Sequence, residues 1–336
     1  MPTRKKSVSG ELALIARIKA LAGVHSNSRV RLGIGDDCAI LRPPSGHELL
    51  VTTDFSLEGR HFRRAWHPAA SIGHRALARG LSDIASMGGR PLAAFLSLAL
   101  PRAVARNAHW LDGFLKGLLA LAAETKTPLA GGDTSEAPDA DIFADIVLVG
   151  SAPTGKALTR SGARPGDNIF CTGALGGAAA ELAALSKSPA RFRRATAADD
   201  HPHLFPQPRL AVGAALLRRK LATACIDISD GLSTDLSHLC EASGVAAELD
   251  AALLPAHPLT AALQPAQQMT AILHGGEDYE LLFTARPNAK IPRSLSGIPI
   301  TRIGRIVPAR KSRPRMTIVA EGTRFELQPH GWEHLK

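Results

Sequence analysis

Carboxylates recur in this chain beside glycines and other small residues, where apolar runs end, and that recurrence constrains the fold more than any other feature. They stand in Gly33-Ile34-Gly35-Asp36-Asp37, Thr52-Thr53-Asp54, Leu81-Ser82-Asp83, Gly131-Gly132-Asp133 and Asp227-Ile228-Ser229-Asp230-Gly231. Small neighbours let backbone and ligand approach closely. In a protein of net charge +10, acidic groups gathered in this way fit hard cations that carry phosphates.

At 336 residues and 45% hydrophobic, the chain can bury a full core and is expected to divide into two domains, 1–150 and 151–336. Its surplus of Lys and Arg gathers in Arg4-Lys5-Lys6, Arg191-Phe192-Arg193-Arg194, Arg218-Arg219-Lys220 and 310–315. None of these clusters sits in a nucleic-acid-binding motif, and one Tyr, three Trp and ten Phe leave little to stack on bases. They read as solvated faces, and no nucleic-acid partner is expected. Cys38, Cys171, Cys225 and Cys240 are too scattered for a Cys-x-x-Cys site, and no signal peptide precedes them, so reduced thiols and a cytoplasmic location are expected. Apolar stretches such as 91–101 and 114–123 fall short of the roughly twenty residues that span a bilayer, so no membrane association is expected.

Strand and helix signals alternate along the chain, as in an α/β or α+β fold. Ser9 offers an N-cap to a helical apolar repeat over 11–18. Residues 38–41 and 49–53 read as short strands joined by a Pro-Pro-Ser-Gly turn; Thr52 and Asp54 share a face, whereas adjacent Asp36 and Asp37 point apart, and Asp36 is the preferred ligand. A helix is predicted over 71–87, closed by Gly88-Gly89 and carrying Asp83. A strand over 93–100, a helix over 106–124, a strand ending in Gly131-Gly132-Asp133 and a strand over 142–149 follow. The stretch 150–157 nearly spells a P-loop, but Ala157 stands where the magnesium-binding Ser or Thr belongs, and the residues after it are too turn-rich for the helix a P-loop needs. Strand 168–172 leads into a helix opened by Gly173, Gly176 and Gly177, without the spacing of a dinucleotide motif. Residues 188–203 are basic and polar and read as an exposed loop. Strand 224–229 enters a helix over 232–242, for which Asp230 serves equally well as an N-cap or as a ligand. The stretch 274–283 reads as a glycine turn into a strand, and a further strand near 301–306 completes the pass.

Other chemistries lack their signatures: there is no Gly-x-Ser-x-Gly elbow and no His-Glu-x-x-His, and the 13 histidines show no ligand spacing. Phosphoryl transfer without a P-loop or kinase-type loop remains.

Gly-Ile-Gly-Asp-Asp-Cys-Ala at 33–39, Thr-Thr-Asp with Gly59-x-His61-Phe62, Leu-Ser-Asp-Ile-Ala-Ser-Met-Gly at 81–88 and Gly-Gly-Asp-Thr at 131–134 are followed in order by four further motifs. These are Ala-Leu-Thr-Arg-Ser-Gly-Ala at 157–163, Ile-Asp-Ile-Ser-Asp-Gly-Leu at 226–232, Gly-Gly-Glu-Asp-Tyr-Glu-Leu at 275–281 and Gly-Trp-Glu-His at 331–334. In them the sequence resembles the thiamine-monophosphate kinase family, part of a superfamily that includes aminoimidazole ribonucleotide synthase and selenophosphate synthetase. The resemblance implies an α/β (α+β), two-domain aminoimidazole ribonucleotide synthase-like fold: an N-terminal domain whose mixed sheet forms a homodimer, and a C-terminal α/β sandwich. It implies ATP-dependent conversion of thiamine monophosphate to thiamine diphosphate. Carried over by motif, Asp36, Thr52, Thr53, Asp54, Asp83, Asp133, Asp227 and Asp230 would bind several magnesium ions. Gly132, Asp133, Arg160 and Ser229 would contact ATP, and His61, Glu277 and Trp332 the thiamine substrate. The chain departs from the family at Glu136, where Arg is common, at Phe55-Ser56, and in the basic stretch 189–203, which has no family role.

The expected nucleophile is a phosphate oxygen, already anionic because the second pKa of a phosphate monoester is about 6, so no general base is expected. The alternative is a sister enzyme of the superfamily that uses ATP on another small substrate. A selenophosphate synthetase would need a reactive Cys in its N-terminal segment, and a hydrogenase-maturation relative a C-terminal Cys; neither signal is here.

Overall fold

The computed structural model describes residues 11–22, 29–310, 312 and 314–331, so Ser9 and Trp332 lie outside the described residues. The first half comprises α1 (Glu11–Ala22), β1 (Val30–Leu32), β2 (Ile40–Leu41), β3 (His47–Leu57), α2 (Ala69–Ser86), β4 (Arg90–Leu100), α3 (Arg102–Ala105), α4 (Ala108–Glu124), β5 (Leu129–Glu136) and β6 (Phe143–Pro153). Four strands make a mixed sheet in the order β3-β6-β4-β5, with only β4 and β5 parallel. Alternation along the strands sends Leu50, Leu96, Leu98, Ile146 and Leu148 to one face, where Leu77 and Leu81 of α2 and Phe114 and Leu118 of α4 cover them. Burying each such side chain is worth about 1.5–3 kcal/mol, which fixes that face inward. On the other face Leu49, Val51 and Phe55 are exposed. Helices α2 and α4 touch at Gly73 and Gly117, where an added Cβ would strike the backbone carbonyls of Phe114 and Ala70.

The second half comprises β7 (Asn168–Thr172), α5 (Gly177–Lys187), α6 (Leu210–Arg218), β8 (Ala224–Asp227), α7 (Leu232–Ser243), β9 (Ala246–Asp250), α8 (Pro265–His274), β10 (Leu281–Ala285), β11 (Ser294–Leu295), β12 (Ile298–Val307), β13 (Met316–Ala320) and β14 (Thr323–Glu326). Its sheet runs β14-β13-β9-β12-β7-β10-β8, with β11 paired to β12. Strand β7 shows how one sheet serves two cores. Ile169 and Cys171 pack with Leu236, Leu239 and Ile272 of α7 and α8, whereas Phe170 packs with Val212 and Leu216 of α6. Among the described residues no helix is long and apolar enough to cross a membrane.

Helix α2 joins the halves. Fourteen of its 18 residues are buried, and several of its polar groups find partners in the second half. Ser71 Oγ donates to the Leu204 carbonyl (2.8 Å), His74 Nε2 to that of Pro206 (2.8 Å) and Ser82 Oγ to Asp227 (2.6 Å).

The sequence reading leaves α6, β9, α8, β13 and β14 unassigned, and the structure differs from its expectations at three further places. The helix expected over 106–124 is interrupted at Asn107, whose side-chain carbonyl accepts from Trp110 N (3.1 Å) and caps α4, leaving α3 as a separate turn. Strand β2 pairs with β1, while β3 pairs with β6. The stretch 188–203, expected to be an exposed loop, is anchored to α5. Glu181 is 2% exposed and accepts from His201 Nδ1 (2.5 Å), His203 N (2.7 Å) and Leu204 N (3.1 Å), while Phe192 and Phe205 join a small core with Trp66 and Leu185. One buried carboxylate satisfies polar groups that a sequence reading assigns to water.

Candidate active site

Every fourth residue of a helix returns to the same face, and α2 uses that period to line up Arg75, Arg79 and Asp83 toward the second half. They border a cleft of about 370 Å³ lined by Asp54, His61, Arg79, Asp83, His203, Asp227, Ser229, Asp230 and Glu277, among others. Asp54 arrives from β3, on the face that meets α2, and its Oδ1 lies 3.5 Å from Arg79 Nη2. Thr52, two residues earlier on the same face, donates its hydroxyl to Asp83. Burial and then the neighbouring Asp83 push Asp227 up to about 7; burial, opposed by Arg79 and reinforced by Asp83, pushes Asp54 up to about 6. Asp83 is raised too, chiefly by burial. Carboxylates so crowded resist ionisation until a cation joins them.

Asp230 does not cap α7. Gly231 holds the N-cap position at φ 107°, and the buried Asp235 reaches back to accept from Ser229 N and Asp230 N, both at 3.0 Å. This fixes the Ser229-Asp230 turn at the edge of the cleft. The Gly-Gly-Glu-Asp-Tyr-Glu-Leu motif divides its acids. Asp278 accepts from Gly176 N (2.7 Å) and Ala178 N (3.1 Å) at the start of α5, and Glu280 pairs with Arg209 (2.5 Å). Only Glu277 turns to the cleft, from a left-handed backbone (φ 68°) that non-glycine residues rarely adopt. Burial alone would raise its carboxyl, but Arg75, His203 and Arg79 hold it well below the usual range. The Arg75 contact is 2.8 Å and that of Arg79 3.3 Å. His61 Nδ1 accepts from Leu57 N (3.0 Å), so Nε2 carries the proton on the neutral ring.

A second cavity, of about 550 Å³, holds Asp36, Asp37, Gly132 and Asp133. It lies at the β5 edge of the sheet, where Ile15 and Ile18 of α1 also line it. Register aligns Phe55, Asp145, Ser97 and Asp133 across the four strands, one step out of phase with Asp54, Ile146, Leu96 and Gly132. Thr53 belongs to the Asp133 face and donates to Asp145 (2.9 Å). Asp36 accepts from Asp37 N (2.9 Å). At φ 147°, Gly132 lies against the Leu96 backbone, where a side chain would not fit. One chain thus brings Thr52, Asp54, His61, Asp83, Asp227, Ser229, Asp230 and Glu277 together, and sets Asp36, Thr53, Gly132 and Asp133 apart from them. Arg160 is exposed; its charge is felt at Asp83 and Asp227. Trp332 lies outside the described residues.

Carboxylate and hydroxyl oxygens predominate among the donors that line both cavities, and such oxygens suit magnesium. Among the described residues no three His, Cys, Asp or Glu could hold a metal ion by themselves. Sequence reading missed Arg75, Arg79, His203 and Asp235. For the two arginines a signal existed, their four-residue spacing from each other and from Asp83.

Two family models match the chain: AIR synthase related protein, N-terminal domain, over residues 35–152, and the corresponding C-terminal domain over 164–316. The thiamine-monophosphate kinase of Escherichia coli K12 is 39% identical over 334 residues, covering 97% of this chain and 98% of that protein. The crystal structure of thiamine-monophosphate kinase from Stenotrophomonas maltophilia superposes with a TM-score of 0.80 at 35% identity, covering 94% of this chain and 98% of that one. A structure of AaThiL complexed with AMPPCP and TMP gives 0.74 at 30% identity, covering 100% of both chains. With its two AIR synthase related domains and these full-length relatives, the chain belongs to the thiamine-monophosphate kinase family.

Proposed function

We propose that this chain transfers the terminal phosphoryl group of ATP to thiamine monophosphate, giving thiamine diphosphate. The observation that carries the reading is the gathering of Asp54, Asp83, Asp227 and Asp230 beside Glu277 and His61 in one cleft, in a chain whose relatives are thiamine-monophosphate kinases. Capture of a relative with AMPPCP and TMP supports the choice of both ligands. Magnesium, when bound, supplies charge neutralisation between the two polyanions and aligns them for in-line attack. Asp54, Asp83, Asp227 and Asp230, with Thr52, hold the cations on the cleft side. Asp36 and Asp133 serve a second cation position in the other cavity, with Gly132 giving the nucleotide close access to the backbone, while Thr53, three strands away on β3, serves a cation beside Asp145. Ser229 and Arg160 meet ATP; His61, Glu277 and Trp332 meet the thiamine moiety. The acceptor oxygen is anionic near neutral pH, so transfer is direct, with no general base and no phosphoenzyme.

The enzyme is a homodimer that pairs through the open face of β3, where Leu49, Val51 and Phe55 are 50%, 66% and 59% exposed. Large apolar side chains left together on a sheet face mark a contact surface. Incubation with magnesium-ATP and thiamine monophosphate, alongside aminoimidazole-pathway substrates, tests the activity. Formation of thiamine diphosphate is expected; its absence overturns the reading.

A further inference from the structure

His203 comes from the stretch that the family resemblance leaves without a role, yet it is 1% exposed and lines the cleft. Its Nδ1 lies 3.3 Å from Glu277 Oε2, and its Nε2 lies 3.0 Å from Nε2 of His67, which is also buried. Two neutral imidazoles in contact must agree on which one donates. Two self-consistent arrangements exist. In the first, Arg63 N–H donates to His67 Nδ1 (3.2 Å), His67 Nε2–H donates to His203 Nε2, and His203 Nδ1–H donates to Glu277. The second runs backward. His67 Nδ1–H donates to the Arg63 carbonyl (3.1 Å), His203 Nε2–H donates to His67, and Arg75 Nη1 donates to His203 Nδ1 (3.1 Å).

The surroundings choose the first. The backward chain points the His203 Nδ1 lone pair at an ionised carboxylate and sets His67 Nδ1–H against the Arg63 N–H. The Arg63 carbonyl already accepts from Trp66 N and His67 N, both at 2.9 Å. Arg75 has acceptors without His203 Nδ1, because its Nη1 reaches the His203 carbonyl and its Nη2 reaches the His61 carbonyl (3.0 Å) and Glu277 Oε1 (2.8 Å). Glu277 is then gripped on Oε1 by the guanidinium groups of Arg75 and Arg79 and on Oε2 by a neutral N–H. Its side chain lines the cleft and is one-fifth exposed there.

We propose that His67 and His203 form a directed hydrogen-bond relay, Arg63 N–H to His67 to His203 to Glu277, and are positioning residues that orient the Glu277 carboxylate toward the thiamine substrate. The substrate named here rests on the function proposed above. The relay itself does not.

Two measurements test it. In nitrogen-15 histidine spectra, His67 is expected as the Nε2–H tautomer and His203 as the Nδ1–H tautomer; the reverse assignment overturns the relay whether or not the enzyme is active. In kinetics, His203→Phe keeps a ring and removes the donor, whereas His203→Asn keeps an N–H near the position of Nδ1. The KM for thiamine monophosphate is expected to rise about tenfold in His203→Phe and to return to within about threefold of wild type in His203→Asn, with the KM for ATP unchanged in both. Equal behaviour of the two variants, or a parallel rise in both KM values, overturns the relay. Should His203→Phe fail to fold, His67→Leu against His67→Gln reads the same contrast, because Gln retains a donor to His203. If wild-type protein forms no thiamine diphosphate, the proposed function fails and the spectra still decide the relay.

Discussion

Asp54 stands in the cleft 3.5 Å from Arg79, with burial and Asp83 holding its carboxyl up at about 6 against that guanidinium. Asp54→Asn is expected to lower kcat/KM at least about a hundredfold at ordinary magnesium, with partial recovery as magnesium is raised. A magnesium titration of activity checks this; undiminished activity at ordinary magnesium would remove Asp54 from the site. Asp54, Asp83 and Asp227 were legible because each ends or interrupts an apolar run, where a carboxylate has no structural reason to stand. Arg75 left a helical spacing from Asp83 as its signal, but its partner, Glu277 two hundred and two residues away, was not legible, and without it an arginine in a helix reads as a solvated charge. Asp235 was hidden for the same reason: its work is to accept two backbone N–H groups that a sequence does not display.

Helix α2 carries most of what connects the halves, and its histidine gives it a pH signature. Burial, the main cause, lowers His74 to about 4 from an ordinary 6.5, so the folded state binds fewer protons than the unfolded state below pH 6.5. Its contribution is fully present above that pH and is lost as pH falls toward 4, at about 1.4 kcal/mol per pH unit. Buried carboxylates such as Asp278, raised to about 7 chiefly by burial, act in the opposite direction, so the test is a comparison of two proteins. His74→Gln keeps a donor for the Pro206 carbonyl, and its stability deficit in urea melts is expected to narrow between pH 7 and pH 5. A deficit that does not change with pH would mean that His74 does not stay neutral in the fold. At the start of α4, Asn107→Ala is expected to cost about 1 kcal/mol, read as a lower thermal midpoint. Most elements were legible from apolar periodicity, α2 to within two residues. The break at Asn107 was not, because the helical pattern runs across it and only the cap geometry marks the boundary.

Across the whole molecule, the sheet separates two groups of acids that the sequence presents as one series. The motifs disclosed the existence of both groups. Their placement on opposite faces depends on strand register, which is set by pairing between β3, β6, β4 and β5 and by nothing local to any motif. The exposed face of β3 yields the prediction at this scale. Val51→Glu with Phe55→Glu is expected to halve the mass seen by light scattering, and because Asp133 and Thr53 lie on that face, activity should fall with it. A mass unchanged from wild type would mean that copies do not pair there. The embedding of α2 also bears on the order of synthesis. Ser71, His74 and Ser82 meet their partners in Leu204, Pro206 and Asp227, so a ribosome that has released only the first half of the chain leaves these groups to water. The early half keeps its own core but gains these contacts only with the late one, and gene halves expressed apart are expected to be more stable mixed than alone, read by thermal melts.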